Sequence, residues 1–464
     1  MAADLGNYVD WTSTGSLASI LKAWYLGPVR EQLNQEVMVL QLFEKATVDW
    51  NGRLCYIPIH TGRNTGVEFL AEGATFGTAG QQEWKHLTVR AHFLYGHFQI
   101  SGPAIASAKS GGKGAFIGWM EAEMTRLVDD VKNAADQHFV SGGSCIGYLN
   151  ANVAAAAPAA WAFDGDYGKL AAARTAGMTN VSIGRMDLPG FQSDGTTSSN
   201  AFFLDNVTAG VACTAVDEAG GTITLAALDT TASLAGGATA VSQGYGYPVY
   251  LTDAGAGTQL TASQNQPRGV FANMSERNPF GVDKGGTNAG VAGANGTPAC
   301  QPLVITCDPT NTGLPNANRA PLSVERIQQV FDEVALLSGK EPNIILCNPT
   351  MRAQYVAMMA AAGNLYTDTR GAATKGDPGF LDLSFANVPL KFARHVPRGM
   401  MVFLETDSWK VAELQGGDFA DLDGSSLRRT GTTDEWTGFY RWYYNLVCTR
   451  PNANAILVGI NYPA

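Results

Sequence analysis

The stretch from residue 48 to 101 constrains this chain more than any other. Arg53 to His60 has the composition of a strand, and Pro58 confines it to an edge or exposed position, while His86 to Ile100 reads as its returning partner. Between them, Arg63 to Gly80 is rich in Gly and Thr and carries almost no apolar periodicity. The pattern predicts a two-stranded ribbon that reaches away from its own domain. An arm of that kind needs another surface to lie on.

A helical arm is expected before the ribbon, over Ser16 to Lys45. Leu17, Ile20, Leu21 and Trp24 form one stripe, Gly27-Pro28 breaks it, and Val29, Leu33, Val37, Leu40 and Phe43 resume it. After the ribbon comes a long amphipathic helix over Gly114 to Val140. Its apolar stripe is Phe116, Ile117, Met120, Met124, Leu127, Val128, Val131 and Ala135, and Asp129 with Lys132 at i,i+3 decorates another face.

Beyond Ala151 the sequence turns Ala-rich and Gly-rich, and after Arg185 its composition shifts. Between Arg185 and Arg268 there is no Lys or Arg, only acids such as Asp187, Asp205 and Asp253, and short strand-like runs (Ala201 to Leu204, Thr222 to Leu225, Tyr247 to Leu251) are punctuated by Gly, Asp and Thr. This reads as a β-rich insertion. Regular α/β texture then returns: Ser323 caps a helix that Gly339 ends, Asn343 to Cys347 is a buried strand, and Asn348-Pro349 opens a further helix to Ala362. Later strands are expected at Val388 to Phe392, Gly399 to Leu404, Phe439 to Cys448 and Ala455 to Ile460.

At 464 residues with 45% apolar content the chain can bury a sizeable core. Only 16% of residues are charged, against about 25% in ordinary globular proteins, and the surface so poor in charge suggests cover by other subunits. A formal net charge of −10 with no basic run argues against a strong grip on nucleic acid. Seven widely spaced cysteines without a C-x-x-C pattern read as free thiols, not as a disulfide scaffold or zinc site. No run approaches the roughly 20 apolar residues of a membrane span, and the N-terminus has no signal-peptide pattern.

Candidate chemistry is sparse. Ser110 to Gly114 around Lys113 lacks the remainder of a phosphate loop and reads as a lead-in to the long helix. His86 and His92 share strand parity but lack a third ligand. Asp164 with Asp166, and Asp418, Asp421 and Asp423, are fragments of calcium loops better explained by turns. Cys347 reads as core. No catalytic, cofactor-binding or metal residue is assigned.

In this order the elements resemble the major capsid protein of tailed bacteriophages, a fold shared with encapsulins and herpesvirus capsid floors. Glu31 to Glu36, Phe43 to Ala46, Asn51 to Pro58, Glu72 to Gln82, the long helix, Asn343 to Thr350 and Pro397 to Phe403 carry the resemblance. It implies an α+β fold with an N-terminal arm (1–46), an extended E-loop hairpin (47–102), and a peripheral domain on the spine helix (103–150, completed by 435–450). An axial domain (151–434) would carry the insertion (186–296), with 451–464 supplying its final strand. The function implied is structural and non-enzymatic: subunits assembling into pentamers and hexamers of an icosahedral head around double-stranded DNA. Implied partners are further copies of the chain, a portal protein at one vertex, separate scaffolding and decoration proteins, and packaged DNA held without specific binding. The location implied is the virion capsid, assembled in the host cytoplasm.

Two alternatives stay open: an encapsulin-like nanocompartment, and a cytoplasmic α/β enzyme with a pocket in the Ser323 to Ala362 unit. The early start of the arm leaves no room for an N-terminal scaffolding segment, so a separate scaffolding protein or none is expected. Some members of the family weld subunits by a Lys–Asn isopeptide bond beside a carboxylate. Lys85 sits at the ribbon base, and no acid follows Asn452 or Asn454, so these asparagines read as turn residues and the shell as non-covalent.

Overall fold

The computed structural model describes residues 39–46, 49–64, 66–102, 113–141, 145–149, 159–162, 181–183, 213–217, 222–225, 247–251, 267, 269–275, 280, 287–288, 291–292, 302–307, 320–361, 383–396, 398–419, 428–429 and 434–461. The arm up to residue 38, Ser110 to Gly112, Asp164, Asp166, Ala201 to Leu204, Asp421 and Asp423 lie outside them.

The fold is α+β. In chain order the elements are β1 (Glu44–Ala46), β2 (Leu54–Gly62), β3 (Glu83–Arg90), β4 (His92–Ser101), α1 (Lys113–Ser141), β5 (Cys145–Leu149), β6 (Ala159–Ala162), β7 (Val181–Ile183), β8 (Cys213–Asp217), β9 (Thr222–Leu225) and β10 (Tyr247–Leu251). They continue with α2 (Val270–Ser275), β11 (Thr287–Asn288), β12 (Val291–Ala292), β13 (Leu303–Thr306), α3 (Val324–Ser338), β14 (Ile344–Cys347), α4 (Pro349–Ala361), β15 (Ser384–Phe385) and β16 (Val388–Phe392). The last are β17 (Met401–Leu404), β18 (Trp409–Phe419), β19 (Arg428–Arg429), β20 (Glu435–Cys448) and β21 (Ala455–Val458).

The core is built on a six-stranded sheet in the order β13-β21-β17-β14-β16-β15. Its central strands β14, β17 and β21 are buried at every position, as their unbroken apolar runs require. Strand parity divides their side chains between two cores. Ile345, Cys347, Met401, Phe403, Ala455 and Leu457 face α3 and α4. Ile344, Leu346, Val402, Leu404, Ile456 and Val458 share the other core with α1, α2 and the inner face of a second sheet. The caps of α3 are those expected: the Ser323 hydroxyl accepts from Arg326 N, and Gly339 closes the helix at φ +69°. Asn348 caps α4 by accepting from Thr350 N at 3.0 Å, while its amide donates to Val396 O at 3.1 Å.

The second sheet runs β1-β18-β20-β19, with β4 also on β20. The 29-residue α1, about 44 Å long, crosses its inner face. Phe139 of α1 meets Tyr444 and Trp442 at centroid distances of 5.3 and 6.3 Å. Helix and strand come so close at Gly96 that a Cβ there would sit 2.7 Å from Val131 Cγ2. The Asp129–Lys132 pair forms at 3.8 Å.

Three expectations are corrected. The helical arm does not run to Lys45: Val39–Gln41 is one turn of 3₁₀ helix, and Glu44–Ala46 is a strand parallel to β18. There Phe43 is buried against Trp409 and Phe139, and the backbone of β1 bonds along the sheet edge instead of within a helix. The returning strand of the ribbon is divided at Ala91, with β3 pairing β2 and β4 pairing β20. And the compositional shift at residue 186 is not a structural boundary. Strands β9 and β10 lie where expected, but β10 pairs with β5 and β7, and β9 with β6 and β8, so each small sheet joins segments from both sides of the shift.

Candidate functional site

Among the described residues the most distinctive surface is the β2–β3 hairpin. The ladder runs from Leu54 opposite Arg90 to Gly62 opposite Glu83, roughly 30 Å at 3.3 Å per residue. Its root is held: Cys55, Ile59, Leu87 and Val89 are buried against Phe280, Ala412 and Val447, which places the hairpin on the outer face of β18 and β20. Trp50 Nε1 donates to Glu413 O at 3.0 Å, and the Asn445 amide donates to Arg90 O at 2.8 Å. Each such fully buried apolar side chain contributes about 1.5–3 kcal/mol, so the root is a stable mount.

Past the ladder, every described residue from 66 to 79 is exposed. Phe69 is fully exposed, Phe76 85% and Val67 83%, with Tyr56 and Trp84 exposed on the ladder itself. Yet the tip has its own fastening. Glu68 accepts from Gly77 N at 2.6 Å, Asn64 accepts from Gly66 N at 2.7 Å, and Ala74 N donates to Ala71 O at 3.0 Å around Gly73, whose φ is +82°. The two limbs run so close that a Cβ on Gly66 would lie 2.7 Å from Gly80 N. A narrow loop is thus held in shape while its aromatic side chains point into solvent. Apolar groups displayed this way mark a surface made for contact.

The other candidates resolve individually. His86 and His92 fall on different strands, since the chain divides at Ala91; His86 is exposed against Tyr56 at 5.6 Å and His92 is buried. Their shared parity was a feature of a single strand that does not exist. Asp418 lies on β18 and pairs with Arg441 at 3.1 Å. Cys347 is fully buried, and desolvation pushes its thiol up to about 12, the setting of an inert core thiol. Cys55, Cys307 and Cys448 are also buried, with Cys307 Sγ donating to Pro321 O at 3.2 Å. No group of three metal-ligating side chains occurs among the described residues. No helix among them is long and apolar enough to cross a membrane.

Lys85 lies on the ladder, paired with Glu83 at 3.6 Å. Asn454, read from the sequence as a turn residue, is instead a fully buried hub. Its Oδ1 accepts from Glu405 N at 3.0 Å and Trp409 Nε1 at 2.9 Å, and its Nδ2 donates to Arg450 O at 3.0 Å and Ser408 Oγ at 3.2 Å. It ties β21 to the start of β18, and nothing local in the sequence distinguishes it from its neighbour Asn452.

No protein-family model and no curated relative matches the chain. Solved structures do. The capsid of cyanophage A-1(L) is similar over 96% of this chain and 98% of its own, at 10% identity and a TM-score of 0.49. The capsid of a native GTA particle is similar over 97% and 100%, at 10% identity and a TM-score of 0.47. An encapsulin from Synechococcus elongatus is similar over 35% of this chain and 55% of its own, at 14% identity and a TM-score of 0.25.

Proposed function

We propose that this chain is the major capsid subunit of a tailed-phage head, a structural protein that assembles into the pentamers and hexamers of an icosahedral shell. The observation that carries the reading is the hairpin: a root buried in its own subunit and a shaped tip that offers Val67, Phe69 and Phe76 to something else. A heterologous contact of this kind, repeated around a ring, closes capsomers and links them. The low charge content of the chain supports extensive coverage by neighbours.

The working residues are contact surfaces, not catalysts. Packaged double-stranded DNA would fill the lumen without specific binding, since a net charge of −10 suits a shell that must release it. A portal at one vertex would complete the particle in the host cytoplasm, built with a separate scaffolding protein or with none. The base-free stretch from 186 to 267 belongs on the exterior or at a subunit seam, away from phosphate repulsion. Lys85 is already paired with Glu83, and the Asn454 side chain is spent on internal hydrogen bonds, so the shell is held without a covalent weld between them.

Negative-stain microscopy of the purified chain tests this. Isometric shells that dissociate to 49.0 kDa chains in hot detergent are expected. A monodisperse monomer at micromolar concentration would overturn the reading, and covalent ladders on the gel would overturn the absence of a weld.

A further inference from the structure

Among the described residues the chain passes directly between its two large sheets at two places, from β17 to β18 through residues 405–408 and from β20 to β21 through residues 449–454. The two passages run side by side. Phe403 pairs with Ala455 in the six-stranded sheet and Trp409 with Cys448 in the second, so residues 404–408 opposite 449–454 are a break within one antiparallel ribbon. A break between two sheets is the natural place for a hinge, because backbone released from a ladder can absorb changes in φ and ψ. This one is closed instead. Neither passage contains a glycine, and Pro451 fixes one φ. Glu405, Ser408, Cys448, Ala453 and Asn454 are all buried there.

Side chains tie the break from both sides. Within it, Asn454 on one passage accepts from Glu405 N and Trp409 Nε1 on the other, and its amide reaches Ser408 Oγ at 3.2 Å and Cys448 Sγ at 3.5 Å. The Ser408 hydroxyl donates to Glu405 O at 2.6 Å, while Thr449 donates its N–H and its hydroxyl to Ser408 O at 2.8 and 2.9 Å. On the outside, Asn343 exchanges two hydrogen bonds with Thr406 at 2.7 and 3.0 Å, and Lys340 pairs with Glu405 at 3.3 Å. Turning one sheet against the other would break these bonds in a place without water to replace them. The sheets also carry different surfaces: the hairpin root is mounted on β18 and β20, and α3 and α4 on the six-stranded sheet. We infer that Asn454 and Ser408 form a clasp that fixes the angle between the two sheets, and that this angle sets the curvature at which copies join. A heterologous contact closes a ring only at a fixed rotation per subunit, so an angle free to vary would close shells of more than one size. This rests on the self-assembly reading and names the element that makes assembly uniform.

Hydrogen exchange on the dissociated subunit tests the clasp, and electron microscopy of the assembled chain tests its consequence. Ser408→Ala removes one link and leaves the bonds to the Asn454 oxygen in place; Thr449→Val, which keeps its shape and loses only the hydroxyl bond, is the milder second variant. Either should raise amide exchange at Glu405 about fivefold to tenfold, and Ser408→Ala should give particles of more than one diameter where the parent gives one. Phe331→Leu, which loosens α3 on the six-stranded sheet away from the break, should keep the single diameter. Unchanged exchange in both variants overturns the clasp. A single diameter from Ser408→Ala overturns its link to curvature, as does a second diameter from Phe331→Leu, since size would then follow stability in general. If the parent forms no particles the self-assembly reading fails, and the clasp is decided by exchange alone: amides of 405–409 and 449–454 as protected as those of β17 bear it out, and exchange about a hundredfold faster overturns it.

Discussion

The central strands of the six-stranded sheet and the tip of the hairpin are opposite answers to the same problem. In β14, β17 and β21 every side chain is covered by the subunit itself, one parity by α3 and α4 and the other by α1 and the second sheet. In residues 66–79 nothing apolar is covered, although the backbone is fastened by its own hydrogen bonds. The first region stabilises a subunit, and the second keeps its apolar area in reserve for another. A substitution should therefore act on folding in one and on association in the other.

The largest effect is expected in the sheet. Phe403→Ala removes a fully buried ring that meets Phe331 edge-on at 5.6 Å, and it should cost about 3–5 kcal/mol in denaturant unfolding of the dissociated subunit. A cost below about 1 kcal/mol would break the contrast at its strong end. Asn454→Ala should follow at about 2–4 kcal/mol, because it leaves the Trp409 indole and Glu405 amide buried without their acceptor. Replacing Asn454 with Asp should recover little, since it would bury a charge.

A pH profile sharpens the same point. The Cys347 thiol is raised from 9.0 to about 12 in the folded chain, so the folded state keeps a proton that the unfolded state loses. Its contribution to stability is complete below pH 9 and is lost as the pH rises from 9 towards 12, with a slope approaching about 1.4 kcal/mol per unit. Burial raises Tyr444 in the same direction. The Cys347→Ala variant should show a shallower alkaline decline, and identical profiles would contradict the burial of this thiol. The smallest effect belongs to the tip: Phe76→Ser should change subunit stability by less than about 0.5 kcal/mol while reducing particle yield.

How much of this was legible in the sequence differs by region for physical reasons. The core strands and the caps of α3 were readable because unbroken apolar runs and the Ser323 and Gly339 signals are local. The division at Ala91 was also written there, in a switch of parity: Leu87, Val89 and Ala91 point one way, and Leu94, Phe98 and Ile100 the other. The run has no Gly or Pro at the break, so only the parity marks it. The β1 strand and the Asn454 hub were not readable, since each depends on a partner far along the chain, at Lys410 to Ala412 and at Glu405 to Trp409. The tip was recognisable by its lack of periodicity, but its exposed aromatics acquire a meaning only once the root is seen to be anchored.

The most direct test of the division between a self-sufficient body and a reserved tip is sedimentation of the chain beside a variant lacking residues 63–80. The account predicts megadalton particles from the full chain. The variant should sediment as soluble subunits or small capsomers whose unfolding midpoint stays close to that of the dissociated parent. Normal particles from the variant, or a variant that no longer folds, would contradict it.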